Sequence, residues 1–251
     1  DLPAAADDHA PEVYRQSRAN LERFRAENIL VQDDCPHYYI YRLIMNGRTQ
    51  TGLVGCTAVD DYIEGRIKKH EFTRPVKEQD RIDHFVACDC HTEAVLLTYR
   101  SDALIDQALL QWCDDYPAVY DFTTADGITH QFWVLTDEAL TAQIKQRFAE
   151  AVPALYIADG HHRSASAAKV CQAYRAQHPN YTGEEDFNYF LAVMFPQDQL
   201  HIMDYNRVVS DLNGCTPEAF LTKLAASYTV TPVENGPYHP EAKHTFGLYL
   251  D

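Results

Sequence analysis

Apolar residues recur along this chain at two spacings, near 3.6 and near 2, and the changes between them predict where helices give way to strands. Val13, Tyr14, Leu21, Phe24 and Ile29 fall at mostly helical intervals and predict a helix over residues 10–32, with Asp7 and Asp8 as available caps. An apolar strand over 38–45 and a return strand over 51–59 flank Asn46-Gly47, a strong hairpin turn. Residues 62–74 read as an exposed connection. Pro75 then opens a helix running to about Cys88, with Val76, Ile82, Phe85 and Val86 as its apolar side. A strand over 94–99, a helix over 102–113 and a second hairpin over 120–135 around Asp126-Gly127 follow. The pattern continues with a helix over 136–151, a strand over 155–158 and a helix over 163–177. Residues 187–196 suit helix or strand equally. Beyond them the pattern predicts strands over 200–204 and 228–232, a helix over 217–227 and a strand-like run over 245–250.

Strands and helices mixed without regular alternation imply an α+β fold with mixed sheets, not a doubly wound parallel sheet. At 251 residues with 46% apolar content, the chain can bury a substantial core. It is read as one continuous α+β unit over 1–251 with no internal boundary placed. Because it begins at Asp1 and stops inside a strand-like run, it is expected to be a fragment lacking parts of both termini.

The net charge of −16 makes nucleic acid an unlikely partner, since a phosphate backbone is bound by a concentrated basic surface. One basic stretch stands out, with Arg66, Lys68, Lys69, Arg74, Lys77 and Arg81, and it suits a compact polyanion such as a nucleotide. The seven cysteines include no C-x-x-C pair, so reduced thiols are expected. Cys88-Asp89-Cys90-His91 lacks the separated ligand pairs of a structural zinc site. No signal peptide or membrane-length apolar run is visible, and a cytoplasmic location is expected.

The segment Leu155-Tyr156-Ile157-Ala158-Asp159-Gly160-His161-His162-Arg163 carries the most chemical information. A short apolar strand breaks at Gly and becomes an alanine-rich helix, whose unpaired N-terminal amides and dipole favour an anion. Arg163 can add a planar clamp on phosphate. The alternative reading is a turn opened by Asp159 and a polar helix start.

The run ADGHHRSASAA, together with Lys68-Lys69-His70-Glu71-Phe72-Thr73-Arg74, resembles a prokaryotic family of unknown function marked by an IKKHE stretch and a later DGHHR stretch. The likeness extends to Gly52-Leu53-Val54-Gly55, Val59-Asp60-Asp61-Tyr62, Lys77-Glu78-Gln79-Asp80-Arg81 and Tyr205-Asn206-Arg207. More distantly, the paired HE and DGHHR elements resemble the ParB/sulfiredoxin fold and, within it, the kinases of free L-serine. That resemblance implies a ParB/sulfiredoxin-like nucleotide-binding core with large insertions.

It also implies that Gly160, His161, His162 and Arg163 hold the phosphates of ATP or ADP. Glu71 then matches the base, and Asp159 matches the aspartate of the catalytic region. A carboxylate base is suitable because a protonated serine hydroxyl is a weak nucleophile. Asp159 could instead ligate Mg2+ through oxygen. Lys68 is assigned to phosphate, although strand alternation leaves the exchange of Lys68 and Lys69 open. His70, Thr73 and Arg74 are assigned to the substrate and its anion pocket, whereas Lys77, Glu78, Asp80 and Arg81 read as an ion-paired helix face. Glu71 could simply pair with Lys69 or Arg74. Tyr156, Phe187, Tyr189 and Phe195 suit an adenine pocket or the core. The expected partners are a nucleotide and a small hydroxy amino acid, with a homodimer possible. A noncatalytic nucleotide-binding regulator and a phosphoester hydrolase are the rival readings.

Overall fold

The computed structural model describes residues 9–234 and 236–250, and it divides the chain into two units, 1–200 and 201–251. The described residues form an α+β structure with one mixed eight-stranded sheet and seven α-helices.

The first unit starts with helix α1 (Pro11–Ala26), followed by the hairpin β1 (Tyr38–Met45) and β2 (Arg48–Ala58). Asn46 and Gly47 both adopt positive φ, as a two-residue hairpin requires. Next come α2 (Val59–Ile63), β3 (Ile67–Lys68), α3 (Pro75–Cys88), β4 (Val95–Tyr99) and α4 (Ala103–Asp115). The second hairpin, β5 (Tyr120–Thr123) and β6 (Thr129–Leu135), leads through α5 (Glu138–Ala151) to β7 (Leu155–Asp159) and α6 (His161–Gln177). Strand β8 (Tyr189–Pro196) closes the sheet, whose order is β3-β7-β4-β8-β2-β1-β6-β5. Pairing is antiparallel except for β3 with β7 and β4 with β8.

The main core lies on one face of this sheet, where Ile40, Leu97, Tyr99, Trp133, Ile157 and Phe190 are buried together with apolar residues of α4, α5 and α6. Val54, Val193 and Phe195 form a smaller cluster with Tyr39, Tyr41 and Phe132 packed beside it. In α6, Ser164, Ala165, Ser166, Ala167 and Ala168 are all buried, so their small side chains admit close neighbours. Helix α3 packs on α6, and α1 packs on α3. The far end of α6 is tied down by Arg175, whose guanidinium grips both Asp60 oxygens at 2.7 and 3.0 Å and donates through Nε to Asn188.

Several expectations need correction. The first helix stops at Ala26 and not near residue 32, because Asn28 turns left-handed and the amides of Ile29 and Leu30 fold back onto the Phe24 carbonyl. Ala10 occupies its N-cap position, while Asp7 and Asp8 lie outside the described residues. The connection over 62–74 contains the end of α2 and the short strand β3, with Ile67 wholly buried. On α3 Glu78 and Cys88 are buried and Ile82 and Phe85 half-buried, whereas Val76 and Val86 are exposed. The ambiguous segment resolves as strand, since residues 189–196 gain partners on both sides in β2 and β4.

In the second unit, helix α7 (Pro217–Ala225) is capped by Thr216, whose hydroxyl accepts from the Ala219 amide at 3.3 Å. Among the described residues of this unit there is no strand, and none is buried. The strand-like runs at 200–204, 228–232 and 245–250 form no strand ladder. Ile202, Val230 and Phe246 are accordingly exposed.

Gly52 sits mid-sheet on β2, where an added Cβ would fall 2.8 Å from the Met194 carbonyl oxygen and the Phe195 ring. Backbone cannot yield there as a flexible side chain would. Gly52→Ala should therefore destabilise the protein by about 1–3 kcal/mol, read as a lower midpoint in urea denaturation with an unchanged slope.

Candidate functional site

The site is built at the junction of β7 and α6. Gly160 takes φ 99° as N-cap of α6, so the strand becomes a helix within one residue. Added bulk here would meet Arg163 Nε at 3.2 Å and Val95 Cγ1 at 3.3 Å, so the turn demands glycine for both conformation and space. Helix geometry leaves the amides of His161, His162 and Arg163 without intrahelical acceptors, because the first such bond runs from Ser164 N to Gly160 O.

The segment at 68–74 is brought against this turn. Strand β3 pairs in parallel with β7, setting Lys68 opposite Tyr156, and the chain continues past the helix start. The His70 amide donates to His161 Nε2 at 3.4 Å, and the Arg74 amide donates to His162 Nε2 at 3.1 Å. The two rings of His70 and His161 meet edge to face at 4.3 Å. Glu71 Oε1 stands 3.6 Å from His161 Nδ1. Residues separated by about ninety positions thus share one surface.

Burial differs sharply among them. His161 is only 4% exposed, and its burial, assisted by the neighbouring His70, lowers its pKa against the opposing pull of Glu71 and Asp159. Burial thus favours the neutral imidazole. The carboxylates of Glu71 and Asp159 are by contrast open to solvent, at 55% and 70% side-chain exposure. Both can meet a ligand without rearranging the core.

Arg163 is engaged within the protein. Its guanidinium pairs with Asp159, donates to the Ala94 carbonyl and lies 3.5 Å from Glu93 Oε2, bracing the turn against the residues that lead into β4. A phosphate contact by Arg163 would be added to these bonds or would exchange one of them. Lys68 is exposed at the sheet edge, whereas the Lys69 ammonium sits 3.8 Å over the Tyr62 ring. The Thr73 hydroxyl donates to Glu78 Oε2 at 2.7 Å. Tyr156, Phe187, Tyr189 and Phe195 do not share one environment: Phe195 is in the smaller core cluster, Phe187 packs against the main one, and Tyr156 is exposed.

Glu78 was expected on an ion-paired helix face; the ion pair is present, but the residue is buried and tied to the 68–74 segment. Its carboxylate pairs with Lys169 of α6 and accepts from Thr73, and these bonds hold its pKa below the ordinary glutamate value. The Ser166 hydroxyl lies 3.1 Å from the Glu78 carbonyl. The signal was present in the helical spacing, since Glu78 stands four residues before Ile82 and seven before Phe85, on the half-buried apolar stripe.

Among the described residues, one group of three side chains is spaced for a metal ion, His70, Glu71 and His161, with donor atoms within 4.8 Å of one another. The Cys88–His91 cluster is arranged otherwise. His91 Nε2 donates to the Tyr189 carbonyl at 3.2 Å, and Cys88 lies 3.7 Å from His84. All seven cysteines are free thiols. An open cavity of about 560 Å³ lies elsewhere, lined by Cys35, His37, Trp112, Tyr116 and Trp133, and none of its lining residues belongs to the 68–74 or 159–163 segments.

A family model described as "Protein of unknown function (DUF1015)" matches residues 1–251. The chain belongs to the DUF1015 family. Comparison with curated proteins, and separately with solved structures, finds no match. Among the described residues of this DUF1015 chain, no helix is long and apolar enough to cross a membrane.

The buried Glu78 makes a stability prediction for this DUF1015 site. Glu78→Gln loses the charge-assisted bonds to Lys169 and Thr73 and should cost about 1–2 kcal/mol, a value kept low because Lys169 remains solvated. Because the folded pKa of Glu78 lies below its unfolded value, its contribution is complete above the unfolded pKa near 4.5 and fades as pH falls through the folded value. Urea titrations should therefore show the gap between the two proteins at pH 7 closing in acid.

Proposed function

We propose that this protein is a kinase of the small-molecule type, transferring a phosphoryl group from ATP or ADP to free L-serine. The observation that carries the reading is the convergence of His70-Glu71 with Asp159-Gly160-His161-His162 at the start of α6. Those two segments bear the resemblance to free-serine kinases of the ParB/sulfiredoxin fold, and a shared surface is what a joint role in one reaction requires.

In this reading the helix-start amides, His162 and Lys68 receive the nucleotide phosphates, with Arg163 supporting the turn and contributing positive charge. His162 Nε2 accepts from the Arg74 amide, which leaves Nδ1 as the ring's donor for phosphate. The exposed Glu71 takes the hydroxyl proton of serine while the serine oxygen forms its bond to phosphorus and the bridging oxygen of the nucleotide departs with the electron pair. His70, Thr73 and Arg74 lie along the same segment and border the acceptor.

Asp159, a hard oxygen donor exposed beside the helix start, fits the one or two carboxylates by which magnesium is commonly held with substrate phosphates. Bound there with the nucleotide, magnesium would supply neutralisation of phosphate charge. The site lacks a glycine loop of the P-loop kind in its sequence, so positioning falls to the helix start and the 68–74 segment.

The test is incubation of the full chain with magnesium, ATP or ADP and a panel of free hydroxy amino acids, with products identified by mass spectrometry. Phosphoserine is the expected product. Nucleotide binding without any product would favour a regulator, and phosphate release from added phosphoesters would favour a hydrolase. Glu71→Gln should fold normally and bind nucleotide nearly as well, while kcat falls by roughly 10²–10⁴-fold. Wild-type turnover in that variant at saturating substrates would remove Glu71 from the role of base.

A further inference from the structure

His161 sits in the motif assigned to phosphate, yet it is the most buried side chain of the site, and both ring nitrogens face protein groups. Nε2 accepts from the His70 amide at 3.4 Å. A nitrogen accepting from a peptide N–H carries no proton, so the neutral ring is protonated at Nδ1. That atom faces Glu71 Oε1 at 3.6 Å, a charge contact longer than a hydrogen bond, which the exposed Glu71 side chain can shorten by a small rotation. The ring is fixed further by its edge contact with His70.

We propose that His161 is a positioning residue for Glu71, its Nδ1–H steering one carboxylate oxygen so that the other faces the acceptor hydroxyl. The inference rests on the reading of Glu71 as the base. An exposed glutamate otherwise samples several rotamers, and each misdirected one removes the base from its substrate. His161 then acts on the reaction only through Glu71.

The same geometry weighs against two alternatives. A phosphate ligand needs a ring N–H free to meet the anion, whereas the protonated nitrogen of His161 is turned to Glu71. If a metal shared with Glu71 took the Nδ1 that faces it, the imidazole would ordinarily donate from its other nitrogen. Here the other nitrogen meets a peptide donor.

Long-range proton–nitrogen NMR spectra of the full chain, labelled at histidine, read the tautomer directly. The expected result is an Nδ1-protonated His161 whose Nδ1 resonance shifts in Glu71→Gln. An Nε2-protonated ring, or one indifferent to Glu71→Gln, would overturn the proposal. Tight cobalt(II) binding that requires His70, Glu71 and His161 would overturn it as well.

Kinetics supply the second arm. His161→Asn places an amide N–H near the former Nδ1, whereas His161→Gln places its amide near the former Nε2. For serine phosphorylation, kcat should fall about 10²-fold in His161→Gln and roughly tenfold or less in His161→Asn, with the nucleotide KM nearly constant in both. Lost nucleotide affinity with preserved kcat would make His161 a phosphate ligand and sink the idea. Should serine not be a substrate at all, the kinase reading fails in the kinetic arm, while the contact between His161 and Glu71 is still decided by the NMR arm.

Discussion

The left-handed turn at Gly160 is the constraint on which the site depends. With φ at 99° and both Val95 and Arg163 closely packed around it, the residue converts strand β7 into helix α6 without an intervening loop. Helix-start amides, two histidines and an aspartate are thereby concentrated within five residues. Arg163 then fastens the turn to the residue preceding β4 through the Ala94 carbonyl and to β7 through Asp159. A longer connection would carry the same residues but would leave their directions undetermined.

A second segment completes the site by backbone contacts more than by side-chain attraction. The amides of His70 and Arg74 donate to the two adjacent imidazoles of α6, so a stretch lacking long regular structure is held at two points. Beneath it, Glu78 connects the start of α3 to α6 through Lys169 and connects back to the segment through Thr73. Charge is therefore used in two ways. Glu78 is buried and holds secondary-structure elements together, whereas Glu71 and Asp159 stay exposed where a ligand can reach them.

The division of α6 into a buried middle and a start that carries the candidate site follows from its composition. Five consecutive small residues permit close approach of the sheet and of α3, which fixes the helix axis, while Arg175 anchors the opposite end to Asp60 and Asn188. A helix fixed along its length presents its first turn in one orientation, and preorganised donors can stabilise developing charge without reorganising.

By itself the sequence determined the local elements whose signals are short-range. Asn46-Gly47 specified a hairpin because both positions favour positive φ, Pro75 opened α3, Asp102 capped α4 through the amides of Leu104 and Ile105, and Gly160 marked the strand-to-helix turn. The candidate site segments were legible for the same reason, since their residue types and order are written contiguously. Tertiary structure alone decided the rest. The burial of Glu78 beneath the 68–74 segment depends on Lys169, ninety-one positions away in the chain, and the tautomer of His161 depends on the His70 amide. The strand-like runs after residue 200 have the composition of strands but lack ladder partners, and a strand is stabilised by the backbone beside it, which no local pattern encodes.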